Sequence, residues 1–146
     1  MKKLFILIII SACFLFSGCV NRMASKIIDN WEAQTLKKLE NPDPEEEPKL
    51  YAQLADIYNA KAQYLMVNEP KKQEEAESYL QQSIETCQRV MQEFSQAYAN
   101  DEFVSIKINL TMANNMFLQG NQGEVEQWCS RLPENVACPQ ILKELQ

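Results

Sequence analysis

The chain has 146 residues, 14 Lys and Arg against 20 Asp and Glu, a formal charge of −6, no histidine and three glycines. That length holds one domain. The missing histidines exclude Ser-His-Asp and Cys-His catalysis and His-containing metal sites. Neither G-x-G-x-x-G nor G-x-x-x-x-G-K occurs, which excludes glycine-rich phosphate loops, and the acidic balance argues against a nucleic-acid partner, which needs a basic footprint.

Lys2 and Lys3 precede an apolar run from Leu4 to Phe16 that only Ser11 interrupts, and the small residues Ser17 and Gly18 follow. This is the three-part layout of a secretory signal, and it is short for a membrane span, which needs about 20 apolar residues. Phe16-Ser17-Gly18-Cys19 resembles the bacterial lipobox, with Phe16 where leucine is usual. The resemblance implies that residues 1–18 are a signal peptide, that Cys13 leaves with it, and that Cys19 becomes the lipidated first residue. A thioether-linked diacylglyceryl on Cys19, with a further palmitate-type chain on its amine, exceeds the two signals that stable anchoring requires. Val20, rather than Asp, follows the cysteine, so the lipoprotein resemblance implies the outer membrane, with the body on its periplasmic face.

Loss of Lys2 and Lys3 with the signal leaves 12 basic against 20 acidic side chains, enough negative charge to keep the body soluble. Arg22 and Lys26 stay close to the anchor, where positive charge suits anionic headgroups. Ala24 to Glu40 carries Ala24, Ile27, Ile28, Trp31, Thr35 and Leu39 at helical spacing. Trp31 reads as an aromatic packed on the body or resting at the membrane interface rather than as a partner anchor. Three prolines between Asn41 and Pro48 then break the pattern and predict an exposed linker that separates a membrane-proximal helix from the main body. Glu45, Glu46 and Glu47 read as a solvated charge run there rather than a cation site. The expected organisation is therefore a signal over 1–18, an anchor, helix and linker over 19–48, and a helical domain over 49–146.

A second helix is expected from Lys49 to Val67, with Tyr51, Leu54, Ala55, Tyr58, Ala62 and Leu65 on one face. Pro70 suits the first position of a third, spanning Lys71 to Ala99. Ala76, Leu80, Ser83, Cys87, Val90, Phe94 and Ala97 alternate steps of four and three along it, a seam for another helix. Val104 to Met112 alternates as a strand does, but nothing else in the mature chain alternates to pair with it, so Glu102 to Gln119 reads as a helix capped by Asn100. Gly120 to Gly123 is a tight turn, Glu124 to Leu132 a helix stopped by Pro133, and Pro139 opens a last short helix through Leu145. The fold class is all-α, either a small bundle or a set of hairpins.

The hairpins resemble tetratricopeptide-type helix pairs. Met112-Ala113-x-x-Met116, the Gly120 turn, Val125 and Cys129 occupy the places of that pattern, and Ala76, Leu80 and Ser83 fit an earlier second helix. Tyr64 takes a small-residue position, the signature Trp, Tyr and Pro are missing, and the spacing from Ala76 to Val125 exceeds the repeat of about 34 residues. The resemblance implies a protein-binding scaffold without chemistry of its own.

Cys87, Cys129 and Cys138 remain in an oxidising compartment, and three cysteines permit one bridge. A Cys129–Cys138 bridge would staple the C-terminal segment for roughly 2–3 kcal/mol, leaving Cys87 as a small hydrophobe on its seam. Cys87–Cys129, between packed helices, is the rival. No CxxC spacing or histidine supports a metal site or catalytic thiol, so no enzyme activity, metal, cofactor or small-molecule substrate is expected, the covalent lipid apart. The expected role is a non-enzymatic binding or assembly factor, similar in architecture to pilotins, the small helical lipoproteins that bring secretin subunits to the outer membrane. Its partners would be the lipid membrane and an envelope protein, with the partner segment held near Tyr51, Tyr58 and Tyr64 or near Trp128. The alternative is an envelope structural or exclusion lipoprotein that needs no groove.

Overall fold

A computed structural model describes residues 22–138. The signal segment, Cys19 and the expected helix at Pro139–Leu145 lie outside the described residues. Within them the chain is helical, with no strand: α1 over 22–39, α2 Glu47–Asn68, a 3-10 turn Pro70–Lys72, α3 Gln73–Glu93, α4 Ser95–Asn100, α5 Glu102–Leu118 and α6 Gln122–Cys129. The alternating stretch at Val104–Met112 is therefore helical, and both of its faces find a use, as described below.

Helix α2 is the central element. Its Ala52, Ala55 and Ala62 are fully buried, and these small side chains let neighbouring helices come close. Antiparallel α3 packs along one side, with Tyr51 stacked on Phe94 at 5.7 Å between ring centres and Tyr58 on Tyr79 at 6.1 Å. Helix α5 runs parallel to α2 on another side and brings Val104, Ile108, Met112 and Met116 into the core.

A chain of polar contacts crosses that three-helix junction. Gln63 Nε2 donates to Asn59 Oδ1 at 2.9 Å, Asn59 Nδ2 to Asn115 Oδ1 at 2.8 Å, and Asn115 Nδ2 to Ser83 Oγ at 2.9 Å. Ser83 Oγ closes it by donating to the Ala55 carbonyl at 2.7 Å. Asn115 and Ser83 are fully buried. Each link joins α2, α3 or α5 to another element or fixes a side chain that does, so sliding any one helix by a turn would orphan buried amides at about 1–3 kcal/mol each. One turn before Asn115, the buried Thr111 hydroxyl has no hydrogen-bond partner among the described residues.

Three local expectations are corrected. The third helix does not run on to Ala99: it breaks at Phe94 (φ −115°, ψ 38°) before α4 begins. The break turns the chain toward α5 while Phe94 stays on Tyr51 and the Tyr98 hydroxyl donates to Asn109 Oδ1 at 2.8 Å. Tertiary contacts thus override a periodicity that continued through Ala97. Asp101, not Asn100, caps α5, its Oδ1 accepting from the Val104 N–H at 3.2 Å, while Asn100 Nδ2 bonds back to the Gln96 carbonyl at 2.9 Å. The turn after α5 is shorter than expected, because Asn121 caps α6 and Gly123 already lies inside it. Gly120, at φ +73°, supplies the left-handed residue that ends α5, with the Asn121 N–H bonded to the Met116 carbonyl at 2.9 Å.

The stretch from Asn41 to Pro48 is a hairpin turn, not a spacer. Asp43 to Glu46 are exposed, as a charge run should be, but Pro48 is buried in the first turn of α2. Helix α1 folds back along α2, where Lys61, which is 9% exposed, binds Asp29 at 2.9 Å and also Glu32 of α1. The Lys61 ammonium lies 4.9 Å from the centre of the Tyr79 ring. Burial on its own would lower the Lys61 pKa, but the hydrogen bonds to Glu32 and Asp29 more than reverse this and hold it above the ordinary lysine value. Thr35 is buried beside this clasp.

Two stability measurements follow from these contacts. Asn115→Ala should cost about 2–4 kcal/mol in urea unfolding, because Asn59 and Ser83 both lose a buried partner. An Asn59→Ala/Asn115→Ala cycle should show coupling of about 1 kcal/mol or more, and simple additivity would disprove the linkage. Lys61→Ala should speed tryptic cleavage at Lys37 and Lys38 several-fold while α2 to α6 stay resistant. Unchanged cleavage would show that the clasp does not hold α1.

Candidate interaction surface

Helix α5 is apolar nearly all round, and a helix of that kind belongs in a core or under a partner. Val104, Ile108, Met112 and Met116 meet α2, α3 and α6. Phe103, Ile106, Leu110 and Phe117, at steps of three, four and seven, share the opposite face. It is only partly covered among the described residues: Phe103 is 44% exposed, Phe117 39%, and Ile106 and Leu110 are half-buried. Lys107 edges this face and donates to Asp56 of α2 at 2.8 Å, which fixes the margin between the two helices. At the far end, Leu118 contributes to an open cleft of about 680 Å³ with Met66, Leu80, Gln73 and Glu77.

The aromatic residues expected as partner anchors, Tyr51, Tyr58 and Tyr64 or else Trp128, each already have neighbours in the fold. Tyr51 and Tyr58 are half-buried and stack on α3 rings, and the Arg89 guanidinium lies 4.2 Å from the centre of the Tyr51 ring. Tyr64 lines a small cleft among α1, α2 and α3 with Ile28, Asp29 and Lys72. Trp128, on α6, lies under the Arg131 guanidinium at 4.2 Å. Phe103, Ile106, Leu110 and Phe117 are not among the residues expected to meet a partner. The available clue was an excess of apolar residues on α5 over what one buried face needs.

Cys129 and Cys138 are joined in a disulfide with their Cα atoms 5.8 Å apart. It ties the segment after α6 back to the end of that helix. Cys87 is a free, buried thiol on the α3 seam. Burial pushes its pKa up, and the Asp56 carboxylate adds to this, so the thiolate needed for nucleophilic or metal chemistry is disfavoured. Among the described residues no group of three or more His, Cys, Asp or Glu side chains is placed to hold a metal ion, and no helix is long and apolar enough to cross a membrane. Glu46 of the acidic run pairs with Lys49 at 2.9 Å.

Because the folded thiol has the higher pKa, its contribution is present below the ordinary thiol pKa and is lost as pH rises above it. Urea midpoints should therefore decline from about pH 9 upward with a Cys87 component of up to about 1.4 kcal/mol per pH unit. Cys87→Ala should cost about 1–2 kcal/mol at neutral pH through lost packing and remove that component. An identical slope in the variant would refute the assignment.

Compared with known proteins, the chain matches no family model, no curated protein and no solved structure.

Proposed function

We propose that this chain is a lipid-anchored protein of the bacterial envelope, held through Cys19 at the periplasmic face of the outer membrane, that binds and positions a protein partner without catalysis. The lipobox-like Phe16-Ser17-Gly18-Cys19 and the signal before it support the anchor, and Val20 supports the outer membrane as its destination. The observation that carries the binding role is the partly exposed apolar face of α5. Phe103, Ile106, Leu110 and Phe117 have the spacing of a helix that receives another amphipathic helix, apolar stripe to apolar stripe. The hairpin layout around α2 and α5 is consistent with the tetratricopeptide-like, pilotin-like reading, in which a scaffold holds a segment while the lipid fixes its location. A chain with no histidine and three glycines supplies few of the residues on which catalysis commonly rests. The rival role, an envelope spacer or exclusion lipoprotein, demands no such face.

The test uses the lipidated protein in its own envelope, with a photo-crosslinking residue at Phe103 or Phe117 and, as control, at Gln88 on exposed α3 surface. One dominant adduct is expected from the two α5 positions and not from Gln88, weakened by Leu110→Asp and relocated by Cys19→Ala. Equal or absent crosslinking at all three positions, with normal membrane fractionation, would refute the binding role and leave the spacer.

A further inference from the structure

Helix α1 carries more exposed apolar surface than a helix clasped to its own domain requires. Of the seven large apolar side chains left exposed among the described residues, four belong to it. Met23 (63% exposed), Ile27 (43%) and Trp31 (55%) follow one another at steps of four and so form one line along the helix, which at Trp31 borders a cleft shared with Gln53, Asp56 and Ile57 of α2. Ile28, Thr35 and Leu39 take the inner face against α2 instead.

The charges of α1 are sorted in the same way. Both acidic side chains, Asp29 and Glu32, bind Lys61 of α2. The basic ones, Arg22, Lys26, Lys37 and Lys38, are all exposed and flank the apolar line. In a body whose overall balance is acidic, α1 joins an exposed apolar line to four exposed basic side chains, while both of its acidic ones engage Lys61. An apolar stripe with a Trp, edged by lysines whose stems can lie along it, is the composition of a helix lying in a lipid interface.

We infer that α1 lies flat in the headgroup region of an anionic bilayer, with Met23, Ile27 and Trp31 toward the acyl boundary and its lysines among lipid phosphates. This deepens the lipoprotein reading and rests on it: Arg22 is three residues beyond Cys19, a path of at most about 10 Å, so the acyl chains deliver α1 to the surface. The consequence is mechanical. The Lys61 clasp transmits the orientation of α1 to α2, so the domain is held at a fixed attitude to the membrane rather than swinging on a leash.

The experiment uses the processed, lipidated chain in vesicles of phosphatidylethanolamine and phosphatidylglycerol, with Trp128→Phe so that Trp31 alone reports. Trp31 fluorescence should shift to the blue, be quenched by lipids brominated near the headgroup end of their chains, and be shielded from acrylamide. Changing Lys26, Lys37 and Lys38 to Glu, or using pure phosphatidylcholine, should weaken that quenching several-fold while the protein stays on the vesicles. In the unsubstituted protein, Lys26 and Lys37 should react several-fold more slowly with an impermeant amine reagent on vesicles than after detergent extraction, a readout independent of the Trp128 change. Trp31 open to acrylamide and untouched by brominated lipid would overturn the inference. So would shielding that follows protein density rather than lipid, which would assign the stripe to a second copy. Loss of the protein from the vesicles in a salt wash would instead refute the reading of Cys19, so the two failures are distinguishable.

Discussion

The buried amide of Asn115 is the constraint on which the rest of the fold depends. Apolar packing among α2, α3 and α5 tolerates small slips, because leucine, valine and methionine are nearly interchangeable neighbours. A fully buried amide does not, since both of its ends need partners with defined direction. Asn59 and Ser83 provide them from two different helices, and Ala55 completes the chain through its carbonyl. With the register of the three helices set, the outward face of α5 and the Lys61 side of α2 are set as well. The two surfaces assigned to function are thus consequences of one internal polar arrangement.

A second polar device, the Lys61 clasp, acts at the edge of the fold rather than at its centre. Lysine is an uncommon choice for a site 9% exposed. It is tolerated because Asp29 and Glu32 surround its ammonium and the Tyr79 ring covers it. An apolar residue there could be as stable, but it would leave both acids of α1 without a partner. The clasp engages both acids of α1 with one ammonium, burying most of Glu32 while Asp29 stays largely exposed. The same interaction therefore attaches the helix and pairs its acidic charges.

Among the described residues the α1 stripe and the α5 face both expose apolar side chains, and their electrostatic settings differ. The stripe on α1 is edged by lysines and begins next to the expected lipid. The face of α5 is edged by the Lys107–Asp56 pair, which is neutral overall, and Asp56 also lines the cleft beside Trp31 and Lys38 of α1. The first setting suits anionic lipid and the second an apolar protein segment. Together they describe a protein that is oriented by its membrane and presents one helix for recognition.

Much of this was legible in the residues themselves. Helical periodicity located every described helix except the separate α4, because spacing at 3.6 residues survives whatever the helix later packs against. The lone alternating stretch at Val104–Met112 resolved as a helix for want of a partner strand, and cysteine arithmetic narrowed the bridge to two choices. Composition also excluded histidine chemistry and phosphate loops outright. Three-dimensional contact decided the rest. Nothing local distinguishes Asn115 from any other asparagine on a helix, or marks Lys61 as the partner of residues 29 and 32. The prolines from Asn41 to Pro48 announced a break but not that the chain would reverse there and fold α1 back on α2. The periodicity around Phe94 predicted continuity where the packing of Tyr51 and Asn109 required a turn. Sequence alone fixes which residues prefer to be helical and apolar, since those preferences are local; which face meets which partner depends on groups distant in the chain, and only tertiary structure could decide it.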